Sequence, residues 1–535
     1  MIVLTRRGIF KSTLATCAVA LLVFLAMHKA AVSQRAREGA EANGPALKTL
    51  TIAQTADADT LDPSDIDSTD TLNIARLLFL TLYKVSPDGK LQPYLAESYH
   101  YAEDGKSITL RIRPGMKCET GAPLTAKDVA YSFDRAANPA FRFTGNSTGF
   151  VLPSIGYEGS RVDDDLTVTL LVKKYNPIAI GLLSEMLILC KAPYERMTKD
   201  EAATHPVATG PYRLAQWVHD DRIVLERNPN YTLSKPPYDR VVWRIMPEGS
   251  TRAAELIAGN VDIITNVAPD QMDAIDSSDT ATVETVASTR RIYIGFNQKD
   301  KFSGTPGGRA IKDPAVRLAM QYAIDVPAIC ESLLRTPCTR LATMLLPSND
   351  HSGIAPYPYD PDRAERMLDA AGYPRGKDGV RFELTLQAPR GRYLEDADVA
   401  MAVGQYLTDV GVKTDVEILD YSSVFVPLAR RHDFGPLFFL GTGGALWSPL
   451  YDLSDLSTPD SGTNYTNWTD PEFFAAWKDL DATRDPVKQE AIINRMMQIF
   501  HERGTWLPLY CQPDIYGVSN KIAWKPRADE VISVE

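Results

Sequence analysis

A chain of 535 residues is too long for one ordinary core and calls for two or three domains, and a 44% hydrophobic content supports globular packing over disorder. Lys and Arg total 57 against 68 Asp and Glu, a formal net charge of -11, and no Lys/Arg run is spaced to neutralise successive phosphates. Nucleic acid is therefore not expected as a partner.

At the N-terminus, Arg6, Arg7 and Lys11 precede an apolar run from Ala15 to Met27, followed by the small residues Ala31-Val32-Ser33. That order is the layout of a cleaved secretory signal over residues 1–33, since the run is shorter than the ~20 residues of a spanning helix. TRRGIFK (5–11) also resembles a twin-arginine signal, which leaves the export route open between the two systems. Cys17 stands at the start of the apolar run rather than after it, the wrong side for a lipid anchor. An Ala/Glu/Gly-rich linker occupies 34–46.

Leu47–Ala53 reads as a first strand and Leu72–Tyr83 as a helix with an apolar face. SITLRIR (107–113) alternates with period two, Ile108, Leu110 and Ile112 on one side, before a Pro114-Gly115 turn. Leu166–Val172, Arg222–Glu226 and Val241–Ile245 repeat the strand pattern. In GMKCETGAPLTAKDVAYSFDRA (115–136), Thr125 and Asp128 have capping-box spacing, with Leu124 and Val129 at the staple positions. Ser132 and Lys127 are expected on the outer face of that helix. Asp313-Pro314 marks another helix start. Further helices are predicted at Asp360–Ala371, Ala397–Asp409, Pro471–Thr483 and Pro486–Arg503, with strands at Arg381–Gln387 and Lys413–Ile418 between them, an α/β alternation.

Three patterns suggest chemistry and each has a duller reading. Gly145-Asn146-Ser147-Thr148-Gly149 has the spacing of a nucleophile elbow, but neither a buried strand before it nor an uninterrupted helix after it, so a polar loop is expected. Asp57, Asp59, Asp62, Asp65, Asp67 and Asp70 lack the Gly and Glu of a calcium loop and read as a solvated, turn-rich segment. No Cys-x-x-Cys occurs and the seven His are scattered, so no metal or cofactor is expected. Cys330 and Cys338 are the expected disulfide, with Cys118, Cys190 and Cys511 as buried thiols. Paired carboxylates are defined by a spatial separation, so an exported hydrolase using cleft carboxylates stands as the rival class.

The order of segments resembles the family 5 extracellular solute-binding proteins of ABC importers, the dipeptide, oligopeptide, nickel and opine binders. The resemblance is carried by LQPYLAESYHYAEDGKSITLRIRPGMK (91–117), GAPLTAKDVAYSFDR (121–135), ATGPYRLAQW (208–217), LERNPNY (225–231), TRAAELIAGNVDI (251–263), IGFN (294–297) and AVRLAMQYAID (315–325). It implies an α/β, two-lobed periplasmic binding protein fold with a hinge and a subdomain inserted in the first lobe. Lobe I would comprise 47–85, 190–295 and a C-terminal return at 507–535, the subdomain 86–189, and lobe II 296–506. The implied protein is a periplasmic monomer that closes over a small-molecule ligand, delivers it to the membrane permease subunits of an ABC importer, and has no catalytic residue.

In peptide-binding relatives an Asp of a Trp-x-x-Asp…Pro segment neutralises the peptide amine. The matching TGGALWSP (442–449) has Thr442 for the Trp and Ala445 for the Asp, with Asp452 or Asp455 as replacements under a shifted alignment. A ligand without a free amine, such as an opine, a sugar conjugate, an anionic compound or a modified peptide, is then favoured over a free-N-terminus di- or oligopeptide. Trp447, Tyr451 and Tyr465 are the expected stacking residues. Arg392, with Tyr393 beside it, is the expected partner for a carboxylate or phosphate.

Overall fold

The computed structural model describes residues 47–443, 446–456 and 463–534. The expected signal, the linker up to Ala46 and Ala445 lie outside the described residues. A ten-stranded mixed sheet runs through both lobes in the order Tyr212–Val218, Arg222–Arg227, Arg240–Ile245, Thr49–Gln54, Ile263–Ile264, Trp506–Ser519, Ala281–Phe296, Leu437–Thr442, Phe382–Arg390, Val412–Asp420. Thr49–Gln54 lies between two parallel neighbours, which accounts for its buried Leu50, Ile52 and Ala53.

Two strands, Ala281–Phe296 and Trp506–Ser519, are far longer than the rest and carry the chain between lobes. Ala281–Ala287 pairs antiparallel with Pro513–Ser519 on the lobe I side, and Arg291–Gly295 pairs with Trp506–Cys511 on the lobe II side. Register shifts between Ala287 and Arg291 mark the crossover, where a bulge twists and bends the strand.

In lobe II, helices Pro314–Tyr322, Pro361–Ala370 and Asp396–Asp409 contribute to a core with Leu384, Leu386, Val399, Leu407 and Phe439. Helices Pro471–Ala482 and Pro486–Glu502 supply Phe473, Met496 and Phe500 to a second core. Four of these helices start with Asp-Pro: Asp313, Asp360, Asp470 and Asp485 each accept a bond from a first-turn amide, and the proline occupies a position whose N–H has no helical partner.

A separate antiparallel sheet, in the order Ala96–Tyr101, Ser107–Ile112, Thr167–Val172, Tyr157–Asp164, packs against helix Ala126–Ala137. Ile108, Leu110 and Ile112 are fully buried, as the period-two pattern requires. The helix begins with the expected capping box, the Thr125 amide donating to Asp128 Oδ2 at 2.8 Å.

Several local expectations are corrected. The helix expected over 72–83 is Thr69–Leu78; beyond Phe79 the chain extends into short strands Leu80–Thr81 and Tyr83–Val85, because a continuous apolar run serves a buried strand as well as a helix. The Gly145–Gly149 segment leads into helical turns at Ser147–Val151 and Leu152–Ile155, with Pro153 in the first turn, where it is tolerated. Ser132 is buried, donating to the Asp128 carbonyl at 2.7 Å and accepting the Leu189 amide at 2.9 Å. That second bond holds the strand before Cys190 against the helix, and the Asp128 carboxylate takes the Lys191 amide at 2.8 Å. Cys190 is thereby brought to Cys118 at a Cα separation of 6.1 Å, and the two form a disulfide rather than buried thiols.

The acidic segment is solvated only in part, at Asp59 and Asp67, and is otherwise tied down. Asp62 is fully buried and bonds both Arg135 guanidinium nitrogens at 2.7 Å, Asp65 pairs with Lys199 at 2.7 Å, and Asp57 accepts the Trp217 indole N–H at 3.1 Å. These carboxylates pin the loop after the first strand to the subdomain helix and to neighbouring strands.

Candidate functional site

The expected ligand residues fall into three places. Trp447 lies on the subdomain: its ring covers Gly89, where a Cβ would sit 2.6 Å from the indole Cγ and where φ of +78° favours glycine. Leu446, Trp447, Tyr99, Tyr101 and Tyr175 line part of a cavity of about 310 Å³ there. Tyr451, on helix Pro449–Leu453, meets Phe150 edge to face with ring centroids 5.9 Å apart. The same boundary is tied further out, where Lys174 Nζ lies 2.5 Å from Asp481 and the Arg484 guanidinium sits 4.5 Å from the Tyr175 ring centroid. This edge is an aromatic seam between the subdomain and lobe II.

Arg392 and Tyr393 lie elsewhere, at the crossover. Asp396, in the first turn of its helix, accepts the backbone amides of Gly391, Arg392 and Tyr393 at 3.1, 2.8 and 3.0 Å, which fixes the loop. Tyr393 is buried in the lobe II core, its hydroxyl donating to the Gly441 carbonyl at 3.3 Å. The ring is thus a platform, with the half-buried Arg392 guanidinium 5.4 Å from its centroid and 5.7 Å from that of Tyr421. Among the described residues, Arg392 has no carboxylate at ion-pair distance.

Arg392 acts instead at longer range on acids of lobe I. Asp67 reaches solvent, yet desolvation by the surrounding protein pushes its carboxyl up, opposed by Arg430 and Arg392. At Asp70, in the first turn of helix Thr69–Leu78, burial again raises the carboxyl, Arg392 opposes it and Glu530 adds to it. Tyr465 belongs to neither place; it packs in lobe II beside His432 and Phe434, at 5.2 and 5.9 Å between centroids.

Cys330 and Cys338 are joined, their Cα atoms 5.9 Å apart, where Arg335 at φ 50° reverses the chain after the turn Cys330–Leu334. Cys511 is a free thiol, raised to about 11 by burial. A larger cavity of about 630 Å³ lies away from the crossover, and both of its arginines, Arg76 and Arg527, are paired, with Glu185 and Asp529.

Sequence reasoning missed the charged group beside Arg392. Arg290 donates to Glu530 Oε1 at 2.6 Å and Oε2 at 2.8 Å, and Asp514 stands on the opposite crossover strand. These positions carry no shared motif; the one local signal is the Arg290-Arg291 pair within strand Ala281–Phe296. Asp452, a proposed replacement for the amine-binding acid, is committed to structure. It is buried against Arg291 at 2.5 Å and accepts the Leu346 amide at 3.1 Å.

Residues 90–464 match the profile of the bacterial extracellular solute-binding proteins, family 5. The glutathione-binding protein GsiB of Escherichia coli strain K12 is 27% identical over 479 residues, covering 87% of this chain and 89% of the relative. The periplasmic binding protein DppA of Helicobacter pylori, in complex with the peptide STSA, superposes with a TM-score of 0.73 at 22% identity, covering 90% of this chain and 97% of its own. AgaA of Agrobacterium tumefaciens R10, in complex with agropinic acid, gives 0.72 at 23%, covering 88% and 93%. A lobe-spanning sheet with two crossover strands and a profile match over most of the chain lead to one assignment: the chain belongs to the family 5 bacterial extracellular solute-binding proteins, the ligand-capturing components of ABC importers.

Proposed function

We propose that this protein captures a small peptide-like solute bearing at least one carboxylate, in the cleft between its lobes at the crossover, and passes it unchanged to the membrane permease. The observation that carries this reading is Arg392: a half-buried guanidinium framed by two tyrosine rings, without an ion-pair partner among the described residues. A fork of N–H donors in that setting suits a carboxylate in bidentate geometry. The full-length similarity to a glutathione-binding protein makes a modified peptide with two carboxylates the first ligand to test.

Trp447 and Tyr451 close the subdomain over lobe II, and their rings serve the closed state rather than the carboxylate. The protein works as an exported monomer in the periplasm, without catalysis. Closure selects the ligand by contacts made only when the lobes meet, and the permease reads that closed form.

Calorimetry with reduced glutathione, unmodified di- and tripeptides and an opine tests the ligand class, and mass spectrometry of the recovered ligand tests the absence of turnover. Binding at micromolar or tighter levels, about -8 kcal/mol, with intact ligand recovered is the expected result. Cleaved or rearranged ligand establishes a hydrolase instead.

A further inference from the structure

The seam between the subdomain and lobe II encloses a cavity whose walls come from both sides. Leu446 of lobe II is 6% exposed within the subdomain core, and a Cβ at Gly181 would lie 3.0 Å from its Cδ1. Next to that anchor, Trp447 and Ser448 line the cavity of about 310 Å³ together with Tyr99, Tyr101 and Tyr175 of the subdomain. The rings are held in place by the protein itself. Tyr101 donates its hydroxyl to the Asn176 carbonyl at 2.8 Å and meets Tyr175 and Tyr99 edge to face, at 4.9 and 6.1 Å between centroids. Tyr99 meets the buried Tyr83 ring in the same way, at 6.1 Å.

We propose that this cavity binds one neutral saccharide ring, at a site separate from the carboxylate contact at Arg392. The residues lining it include no Asp, Glu, Lys, Arg or His, so a charged ligand would be desolvated there without a counter-charge. The Arg484 guanidinium, 4.5 Å from the Tyr175 centroid, is not among the lining groups and adds a reason against a cation.

The lining also carries polar groups that the protein does not use. Ser448 stands at the N-cap of helix Pro449–Leu453, where a serine hydroxyl ordinarily accepts a first-turn amide, yet it makes no such bond. Among the described residues, the Tyr175 hydroxyl and the Trp447 indole N–H have no hydrogen-bond partner either. A purely apolar guest would strip water from these groups and return no bond. A pyranose ring presents C–H faces to aromatic rings and hydroxyls around its rim, and so meets both parts of the lining. The volume lies at the lower end of the range of about 300–1,000 Å³ for ligand pockets, which suits one ring rather than an oligosaccharide. Such a ring touches the subdomain and lobe II at once, and its binding favours the closed seam.

A free sugar and the sugar of a larger solute carry the same chemistry, and two arms of one experiment separate them. Calorimetry and saturation-transfer NMR with methyl glycosides of glucose, galactose and N-acetylglucosamine report on the free sugar. A tripeptide carrying each sugar, compared with the bare tripeptide, reports on the conjugate. The apolar and cationic controls are 4-methylphenol and choline. The expected result is that at least one glycoside binds at least tenfold tighter than both controls, or that a sugar tightens the tripeptide at least tenfold. Ser448→Ala and Tyr175→Phe, which remove hydroxyls and keep the walls, are each expected to weaken that binding by about threefold to tenfold. Trp447→Ala is expected to weaken it by more than tenfold; should that protein fold poorly, the two hydroxyl variants carry the test. No gain from the sugar in either arm, tighter binding of a control than of every sugar form, or sugar binding indifferent to both hydroxyl variants overturns the inference. Each of these outcomes leaves the carboxylate reading at Arg392 standing, because glutathione binding tests that reading separately.

Discussion

Arg290 and Arg291 are adjacent on one strand, point to opposite faces of the sheet, and end in opposite situations. Arg291 turns into lobe II, 2% exposed, against Asp452 at 1%, and its Nη1 also donates to the Met344 carbonyl at 2.8 Å, while Asp452 collects a backbone amide and the Asn349 side chain. One buried charge meets one buried charge, with Asp452 Oδ2 taking the two protein hydrogen bonds and Oδ1 facing the guanidinium. Arg290 turns toward lobe I and meets Glu530, with Asp514 close behind and short of a donor. Arg291 and Asp452 form a one-to-one buried pair, whereas Arg290 sits between two acids, Glu530 and Asp514, and burial, helped by the Glu530 charge, pushes the Asp514 carboxyl up.

Removing each arginine separates the two cases, and Arg291→Met is expected to have the largest effect. It strands Asp452 in a dry core and costs about 3 to 5 kcal/mol, read as a lowered urea midpoint with unchanged slope. Arg290→Met is expected to cost less, about 1 to 3 kcal/mol, because Glu530 lies nearer solvent, at 19% exposure, than Asp452 does. An equal loss from both breaks the comparison.

The third prediction concerns pH. The Asp514 carboxyl is raised from 3.8 to about 8 in the fold, so between those values the folded state holds a proton that the unfolded chain has lost. Stability therefore falls as pH rises through that window and levels off above it. Asp514→Asn is expected to flatten this slope, checked by urea midpoints at about pH 5 and about pH 8. A slope that survives the substitution places the titration on another group.

The smallest effect is expected at the outer seam. Lys174 and Asp481 meet at the surface, with 68% and 35% of their side chains exposed. Lys174→Glu is expected to change closure, read as ligand affinity, by no more than about 1 kcal/mol, with the difference fading at high salt. A larger loss makes the seam, rather than the crossover, the element that holds the lobes together.

Much of the architecture was legible because its causes are local. The Asp-Pro helix starts, the capping box at Thr125 and the alternation through Ile108, Leu110 and Ile112 need only a few consecutive residues, and the order of such segments was enough to reveal the family. The candidate site was legible only in part. Arg392 could be singled out as a fork beside an aromatic ring, but its neighbour Tyr393 faces the core, and Tyr465 packs inside lobe II away from both Trp447 and Arg392. Side-chain direction in a loop follows from what packs around it, and no periodicity encodes that.

Residue type and spacing by themselves indicated most of the secondary elements and singled out Arg392 as a candidate partner for a carboxylate, and the two-lobed class followed from the family resemblance those segments carry. Tertiary structure alone decided the pairings: Cys118 with Cys190 across 72 residues, Arg135 with Asp62 across 73, and Arg290 with Glu530 across 240. For the first two the reason is helix Ala126–Ala137, which carries Arg135 and holds the Leu189–Lys191 segment; for the third it is the sheet order, which sets the last strand beside residues 281–296. There the balance of the whole set, rather than any one residue, determines which group is left with a bond to make.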